Sequence, residues 1–201
     1  MTQRMLCSLV LLICAAAFGA GAASPDVRIA MSVLPLPERL RAGAAVVRFE
    51  KDGSSVMLRK GTNGMVCFTV EPGEADIDAR CYHESFMPVI ERIRVLRSQG
   101  VKRADMDRNI DQDVKSGKLK LPEHPCAGYR ILAPARAYNE ATNVLSAEAS
   151  SWQSIHIPYR TATEMGLMSE DQVDEAARRV IPYVMSSGTF WSHVMIEHPS
   201  K

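Results

Sequence analysis

Apolar residues recur every three or four positions from Ser85 to Gly100, which is the spacing of one helical face. The residues of this stripe are Phe86, Val89, Ile90, Ile93 and Leu96. Pro88 falls in the first turn, where a helix tolerates proline. A second helix is predicted from Arg103 to Ser116, ahead of Gly117. Its apolar stripe is thin, so we expect it to lie on the surface.

Strands are predicted on the N-terminal side of these helices. Three segments rich in branched and aromatic residues are Ala44–Phe49, Ser54–Lys60 and Met65–Val70. They are separated by Asp52-Gly53 and by Gly61-Thr62-Asn63-Gly64, sequences that tolerate the positive φ of tight hairpin turns. The pattern predicts a three-stranded antiparallel meander followed by a loop, Glu71–Arg80. Before it, Val27–Val33 predicts a single helical turn.

The C-terminal side has shorter patterns. Strands are predicted at Tyr129–Leu132 and Trp152–Pro158, and Tyr183–Ser187 with Trp191–Glu197 is predicted to form a closing hairpin. Ser169 and Gln172 match a capping box, which predicts a helix from there to about Val180.

These elements predict an α+β fold, because the strands and helices do not alternate as a parallel sheet would require. We expect an antiparallel sheet, built from the N-terminal meander and the C-terminal strands and packed with about three helices. Residues 24–201 have a suitable length for a single domain with one core.

Residues 1–23 have the three parts of a secretory signal peptide. Arg4 provides the positive charge, Leu6–Ala17 an apolar run, and Ala20–Ala23 the small residues of a cleavage site. The run is shorter than the roughly 20 apolar residues of a membrane-spanning helix. We therefore expect a periplasmic or secreted protein, cleaved near Ala22 or Ala23, with no membrane span after cleavage.

The charge balance bears on the class of partner. The chain has 24 basic and 23 acidic residues, and Arg4 is the one charged residue of the predicted signal peptide, so the mature chain is formally neutral. Proteins that bind nucleic acid usually carry a clustered basic excess, and we therefore expect no nucleic acid partner. A small molecule or an envelope protein is the expected partner.

Three cysteines follow the signal peptide, and an exported chain meets an oxidising compartment where cysteines pair. We expect a disulfide between Cys67 and Cys81, because this pair closes a short polar loop between two regular segments. Cys126 is then a free thiol.

Two Cys/His pairs, Cys81 with His83 and His124 with Cys126, contain the ligand types that zinc prefers. The expected disulfide and the unusual two-residue spacing argue against zinc. The segment from Asp105 begins like a calcium-binding loop but has Ile110 where glycine is needed and Ser116 where glutamate is needed. We expect neither a metal nor a cofactor.

Nucleophilic catalysis has two sets of candidates. One is Cys126 with a neighbouring histidine, and the other is a serine near His193, chosen from Ser186, Ser187 and Ser192. The Gly-x-Ser-x-Gly sequence that exposes a catalytic serine is absent from the chain. The residue pattern therefore favours a protein that is not an enzyme.

Aromatic residues are concentrated in the C-terminal third, namely Trp152, Tyr159, Tyr183, Phe190 and Trp191. Such residues line pockets for apolar ligands, and they also fill cores. Trp191 accordingly joins His83, His124, Cys126 and His193 as candidates for ligand binding or catalysis.

Several short segments resemble a group of bacterial secreted proteins with no known activity. They are Leu58-Arg59-Lys60-Gly61-Thr62-Asn63-Gly64, Cys67, Cys81, Trp191 and His193-Val194-Met195-Ile196, in this order. The chain differs from that group in having Met65 after the turn and a longer helical segment around residues 86–120. The resemblance implies a periplasmic or extracellular bacterial location and supports the Cys67–Cys81 pair, but it implies no activity.

The sequence thus predicts a binding or interaction module of the bacterial cell envelope or exterior. One alternative is a small secreted hydrolase that uses Cys126 or a Ser/His site. Another is a structural envelope protein that docks a partner through the polar helix Arg103–Ser116.

Overall fold

The computed structural model describes residues 25–70 and 76–198, so the predicted signal peptide and the start of the predicted Glu71–Arg80 loop lie outside it. Six α-helices lie within these ranges: α1 Pro25–Ser32, α2 Glu38–Arg41, α3 Met87–Ser98, α4 Arg103–Lys115, α5 Ala162–Met165 and α6 Glu175–Arg178. The same ranges contain ten strands: β1 Ala45–Phe49, β2 Ser55–Arg59, β3 Met65–Val70, β4 Asp76–His83, β5 Cys126–Pro134, β6 Tyr138–Asn139, β7 Val144–Leu145, β8 Ser150–His156, β9 Tyr183–Met185 and β10 His193–His198. None of the described helices is long and apolar enough to cross a membrane.

Eight strands form one sheet in the order β2-β1-β3-β4-β5-β8-β10-β9, and β6 pairs with β7 in a small separate sheet. The predicted α+β class is confirmed. The predicted closing hairpin is also present, because β9 pairs antiparallel with β10. Strands from both ends of the described chain therefore belong to one sheet.

The large sheet is mixed, whereas the predicted meander was antiparallel throughout. β1 and β2 form the expected hairpin, but β3 lies on the other edge of β1 and runs parallel to it. The Gly61–Gly64 segment crosses the start of β1, where the amides of Thr62 and Asn63 donate to the Gly43 carbonyl at 2.7 and 3.2 Å. A Cβ on Gly61 would lie 2.3 Å from the Ala45 nitrogen, so this crossing depends on glycine.

The predicted range of the loop, Glu71–Arg80, extends too far toward the C-terminus. Residues 76–80 belong to β4, which pairs antiparallel with β3 and places Cys67 directly opposite Cys81. The predicted disulfide joins these two residues, with 4.0 Å between their Cα atoms. Both half-cystines are fully buried, and Cys126 is a buried free thiol, also as predicted.

Two long helices match their predicted positions, but the helix predicted from Ser169 to Val180 is wrong over its first half. One arm of the predicted capping box is present, because the Ser169 amide donates to Gln172 Oε1 at 2.9 Å. The other arm is missing: the Ser169 hydroxyl donates to Asp171 and Gln172, and no backbone amide of the described residues donates to it. The helix starts later, after Asp174, whose carboxylate accepts from the Ala177 amide. A capping box is present instead at Thr161 and Glu164, where it starts α5.

The strand register defines two faces of the sheet, because residues paired across strands point to the same side. The front face carries Phe68, Arg80, Arg130, Trp152 and Glu197, which are aligned across β3, β4, β5, β8 and β10. Helices α3 and α4 cover its β1-β3-β4 half through a buried cluster that includes Phe68, Phe86, Ile90 and Ile110. The back face holds the disulfide, packed against Val33 and Leu36 of the segment that follows α1.

Candidate functional site

The uncovered part of the front face forms a pocket beside the adjoining ends of α3 and α4. This inner pocket, a cavity of about 220 Å³, is lined by Arg80, Arg97, Arg103 and Arg130 together with aromatic, histidine, serine and methionine side chains. Arg80 and Arg130 are paired across β4 and β5. Arg97 comes from the last turn of α3 and Arg103 from the first residue of α4. Four arginines from four different elements therefore meet at one cavity.

One carboxylate, Asp78, is bound to two of these arginines. Arg80 donates to its two oxygens at 2.9 and 2.5 Å, and Arg130 donates to the same two oxygens at 2.8 Å each. Burial alone would raise the pKa of Asp78, but these bidentate hydrogen bonds lower it to about 2. Asp78 is therefore ionised at neutral pH and fixes the position of both guanidinium groups.

Arg97 and Arg103 have no ion-pair or side-chain hydrogen-bond partner among the described residues. Arg97 is an exposed residue whose guanidinium is only partly desolvated; this desolvation lowers its pKa, and the positive charges of Arg80 and Arg103 lower it further. The pKa of Arg94, which stacks on Phe49 and Phe68, is lowered by burial and then by Arg80 and Arg97. Like charges therefore repel one another at this end of the pocket.

The floor of the inner pocket is aromatic and contains two buried histidines. Phe86, at the start of α3, stacks on His156 at 4.1 Å between ring centroids, and Trp191 packs against both rings. His156 is 1% exposed and His193 is 5% exposed, with 5.1 Å between their ring centroids. His156, His193 and Trp191 line the inner pocket, and Phe86 packs against His156 and Trp191.

Both histidines are held neutral at pH 7. Burial lowers the pKa of His156 well below its ordinary value, and the neighbouring His193 lowers it further. Burial also lowers the pKa of His193, partly offset by its hydrogen bond to the Trp191 carbonyl at 2.7 Å. Because a carbonyl only accepts, His193 Nδ1 carries the proton of this bond. His156 Nδ1 is buried and has no hydrogen-bond partner among the described residues.

Gly128 leaves room for this arrangement. It lies on β5 opposite Tyr82 and Ser154. A Cβ at this position would lie 2.5 Å from Ser154 Oγ, 3.0 Å from His156 Nε2 and 3.2 Å from Tyr82 Cδ1. The tight approach of these three side chains therefore requires the absence of a side chain at residue 128.

The structure divides the five sequence-predicted candidates between two places. Trp191 and His193 line the inner pocket. His83, His124 and Cys126 line a separate cavity of about 490 Å³ near the start of α3. His83 Nδ1 lies 2.9 Å from Ser85 Oγ and accepts from the Ser85 amide, so this histidine caps the turn before α3.

The geometry does not favour nucleophilic chemistry at Cys126. Burial raises the pKa of its thiol, and the opposing hydrogen bond from Ser85 is the weaker effect. A nucleophilic cysteine needs a lowered pKa and access to solvent. The Ser192 hydroxyl donates to the Arg160 carbonyl at 2.6 Å, and Ser187 accepts from the Ala162 amide at 2.9 Å, so both hold loops in place.

One Ser/His contact that the sequence analysis missed lies in the inner pocket. Ser154 Oγ is 3.2 Å from His156 Nε2, two residues along the same strand. Their i, i+2 spacing on a predicted strand places both side chains on one face, and this signal was available from the sequence. The four arginines carried no such local signal, because they come from segments up to 50 residues apart.

Within residues 25–70 and 76–198, no three His, Cys, Asp or Glu side chains are grouped so that they could hold a metal ion. Cys81 is engaged in the disulfide and is not available as a ligand. The chain matches no known protein family, curated protein or solved structure.

Proposed function

We propose that this protein is a binding module for an anionic ligand, which it holds in the inner pocket. The observation that carries this proposal is the excess of positive charge at one cavity: four arginines line it, and among the described residues Asp78 is the one carboxylate paired with any of them. Guanidinium groups bind carboxylate, phosphate and sulfate through paired hydrogen bonds. An anion placed near Arg97 and Arg103 would relieve the repulsion between them.

The rest of the pocket supports binding over catalysis. Its floor consists of rings packed against one another, and the two histidines are buried and neutral. Asp78 positions Arg80 and Arg130 before any ligand arrives. Preorganised groups of this kind increase affinity, because little ordering is left to occur on binding.

Titration calorimetry in low-salt chloride buffer tests this function, with sulfate, inorganic phosphate and phenyl phosphate as probes. We expect Arg97→Ala and Arg103→Ala each to weaken binding at least tenfold. Arg48→Ala is the matched control, because Arg48 pairs with Glu50 outside the inner pocket. Equal affinities in the control and the pocket variants, or no binding of any probe, would refute the proposal.

The predicted export of the protein belongs to the same proposal. The apolar run, the small residues before Ser24 and the buried disulfide all support an extracytoplasmic location. The intact mass of protein recovered from its natural compartment tests this prediction. We expect the mass of a chain cleaved after Ala22 or Ala23 with Cys67 and Cys81 oxidised, and a full-length chain would count against export.

Hydrolysis is the second candidate function, and the contact between Ser154 and His156 is the observation that favours it. It ranks below binding because no carboxylate of residues 25–70 and 76–198 orients His156 Nδ1, so this part of the chain does not supply the nucleophile, base and orienting group of a triad together. Release of phenol from phenyl phosphate or phenyl acetate, lost in Ser154→Ala, would favour hydrolysis. Binding without turnover would exclude it for these esters.

A further inference from the structure

The inner pocket continues into a second cavity along the front face. This outer pocket has a volume of about 410 Å³. It shares Arg130, Trp152, Met185 and Met195 with the inner pocket. The two cavities are therefore parts of one groove that crosses β5, β8, β10 and β9.

The far end of the groove has its own cationic groups. Arg178 lies over the Tyr183 ring at 5.5 Å and donates to the Glu170 carbonyl at 2.9 Å, so its guanidinium is held in place. Arg179 lines the same pocket and pairs at 2.8 Å with Glu175, which is strongly exposed. The acid of this pocket, Glu197, accepts from the Tyr183 hydroxyl at 2.5 Å.

The middle of the groove is lined by Trp152, Met185 and Met195 together with Arg130. The Trp152 indole packs under the Arg130 guanidinium, whose carbon lies 5.0 Å from the ring centroid. Met195 lies on the neighbouring strand β10, and Met185 lies on β9 beyond it. From β4 to β9 the groove spans four strand spacings, or roughly 19 Å, which is much longer than one sulfate or phosphate ion.

We infer that the groove contains a second anion subsite at Arg178 and Arg179 and binds an acidic oligosaccharide, with an anionic substituent at each end and sugar rings across Trp152. This inference rests on the proposed anion binding at the inner pocket. Sugar rings present apolar C–H faces that pack against indole and thioether side chains, and sulfate or carboxylate substituents are the partners of arginine. Single-stranded nucleic acid also carries anionic groups, but it binds along rows of aromatic platforms for successive bases, whereas the middle of this groove combines one indole, Trp152, with the thioethers of Met185 and Met195.

Calorimetry with sulfate and with heparin-derived di-, tetra- and hexasaccharides tests the second subsite, with the full-length mature protein in low-salt buffer. We expect affinity to rise at least tenfold from the disaccharide to the hexasaccharide. Arg178→Ala and Arg179→Ala are expected to remove most of this gain. Arg97→Ala is expected to weaken every probe, and Arg136→Ala, which removes an exposed pair with Glu148, is the matched control.

The possible failures are distinguishable. If sulfate binds through Arg97 but affinity is independent of chain length, or is unaffected by both outer variants, the second subsite is refuted and the proposed function stands. If no probe binds, the proposed function fails as well. A single-stranded oligonucleotide that binds more tightly than a hexasaccharide of equal charge would overturn the ligand class.

Because Arg178 also contacts Tyr183, thermal unfolding of Arg178→Ala is compared with that of Arg179→Ala to identify loss of folding.

Discussion

The two halves of the front face differ in the chemistry of their side chains, although the strands alternate between the two faces of the sheet in the same way in both halves. On β1 and β3 the front positions hold Val47, Phe49 and Phe68, which α3 and α4 bury. On β5 and β8 they hold Arg130, Trp152 and His156, which face the groove. Eight strands span roughly 34 Å at their usual spacing, whereas two helices about 10 Å wide cover only about 20 Å. The sheet is wider than its helical layer, and the charged and aromatic groups occupy the part left uncovered.

Asp78 and Phe86 lie where the two halves meet. Asp78 is on β4, the last strand beneath the helices, and it holds one arginine from that strand and one from β5. Phe86 belongs to the buried cluster and also stacks on His156 in the pocket floor. The stable half therefore fixes the geometry of the binding half, and variants in each should affect different properties.

The largest expected effect is from truncation in the covered half. Phe68 is 1% exposed and contacts Phe49 and Tyr82, so Phe68→Ala should lower the free energy of unfolding by about 3–5 kcal/mol. Trp152→Ala in the groove should lower the free energy of unfolding by only about 1–2 kcal/mol, because the Trp152 side chain is partly exposed. The same substitution should weaken ligand binding. Urea unfolding of both variants measures the difference. Equal losses would show that the groove is as important to stability as the core.

Gly128→Ala should have the next largest effect, with a loss of about 1–3 kcal/mol, because the new methyl group overpacks the pocket floor. Ser154 Oγ can rotate away, but the rings of His156 and Tyr82 are held by their neighbours. The double variant Gly128→Ala/Ser154→Ala should recover part of the loss in urea unfolding. No loss in the single variant would mean that the rings are not fixed.

The covered half was largely predictable from sequence, and the groove was not. The recurrence of apolar residues every three or four positions located α3 and α4 to within about two residues. The predicted export of the chain led to the prediction of the Cys67–Cys81 disulfide, which is present. The pocket depends on which strands are neighbours, and alternation alone does not determine that order. Arg80 and Arg130 are 50 positions apart, and Arg97 and Arg103 have the pattern of ordinary solvent-exposed helix residues. The parallel pairing of β3 with β1 depends on the close contact between Gly61 and the start of β1. The local sequence around Gly61 predicts a hairpin turn instead.

The buried histidines should make stability fall with acidification. Their folded-state pKa values are lowered, so below the ordinary histidine pKa of about 6.5 the unfolded chain binds protons that the folded chain does not. The loss should begin as pH falls below about 6.5, with a slope of at most about 1.4 kcal/mol per pH unit for each histidine. Asp78 acts in a separate window, because its stabilising contribution is lost only between about pH 4 and 2.

Urea unfolding between pH 7 and 5 measures this slope. His156→Phe should reduce it, because the aromatic contact with Phe86 remains while the titrating group is removed. His124→Gln, at an exposed position outside the inner pocket, is the matched control. A wild-type stability that is constant over this range, or a slope that His156→Phe leaves unchanged, would contradict the assignment of His156 as a buried neutral base.

The smallest expected effect concerns the unpaired arginines of the pocket. Without ligand, Arg97→Ala should leave the free energy of unfolding unchanged or raise it by up to about 0.5 kcal/mol, because it removes repulsion from Arg80 and Arg103 at an exposed site. Arg48→Ala, which breaks a surface pair with Glu50, should lower it by a similar amount. Added sulfate should stabilise the wild type more than Arg97→Ala, since a ligand that binds only the folded state raises its stability. If Arg97→Ala destabilises the ligand-free protein more than Arg48→Ala does, Arg97 supports the fold, and the contrast between a stabilising half and a binding half does not apply to it.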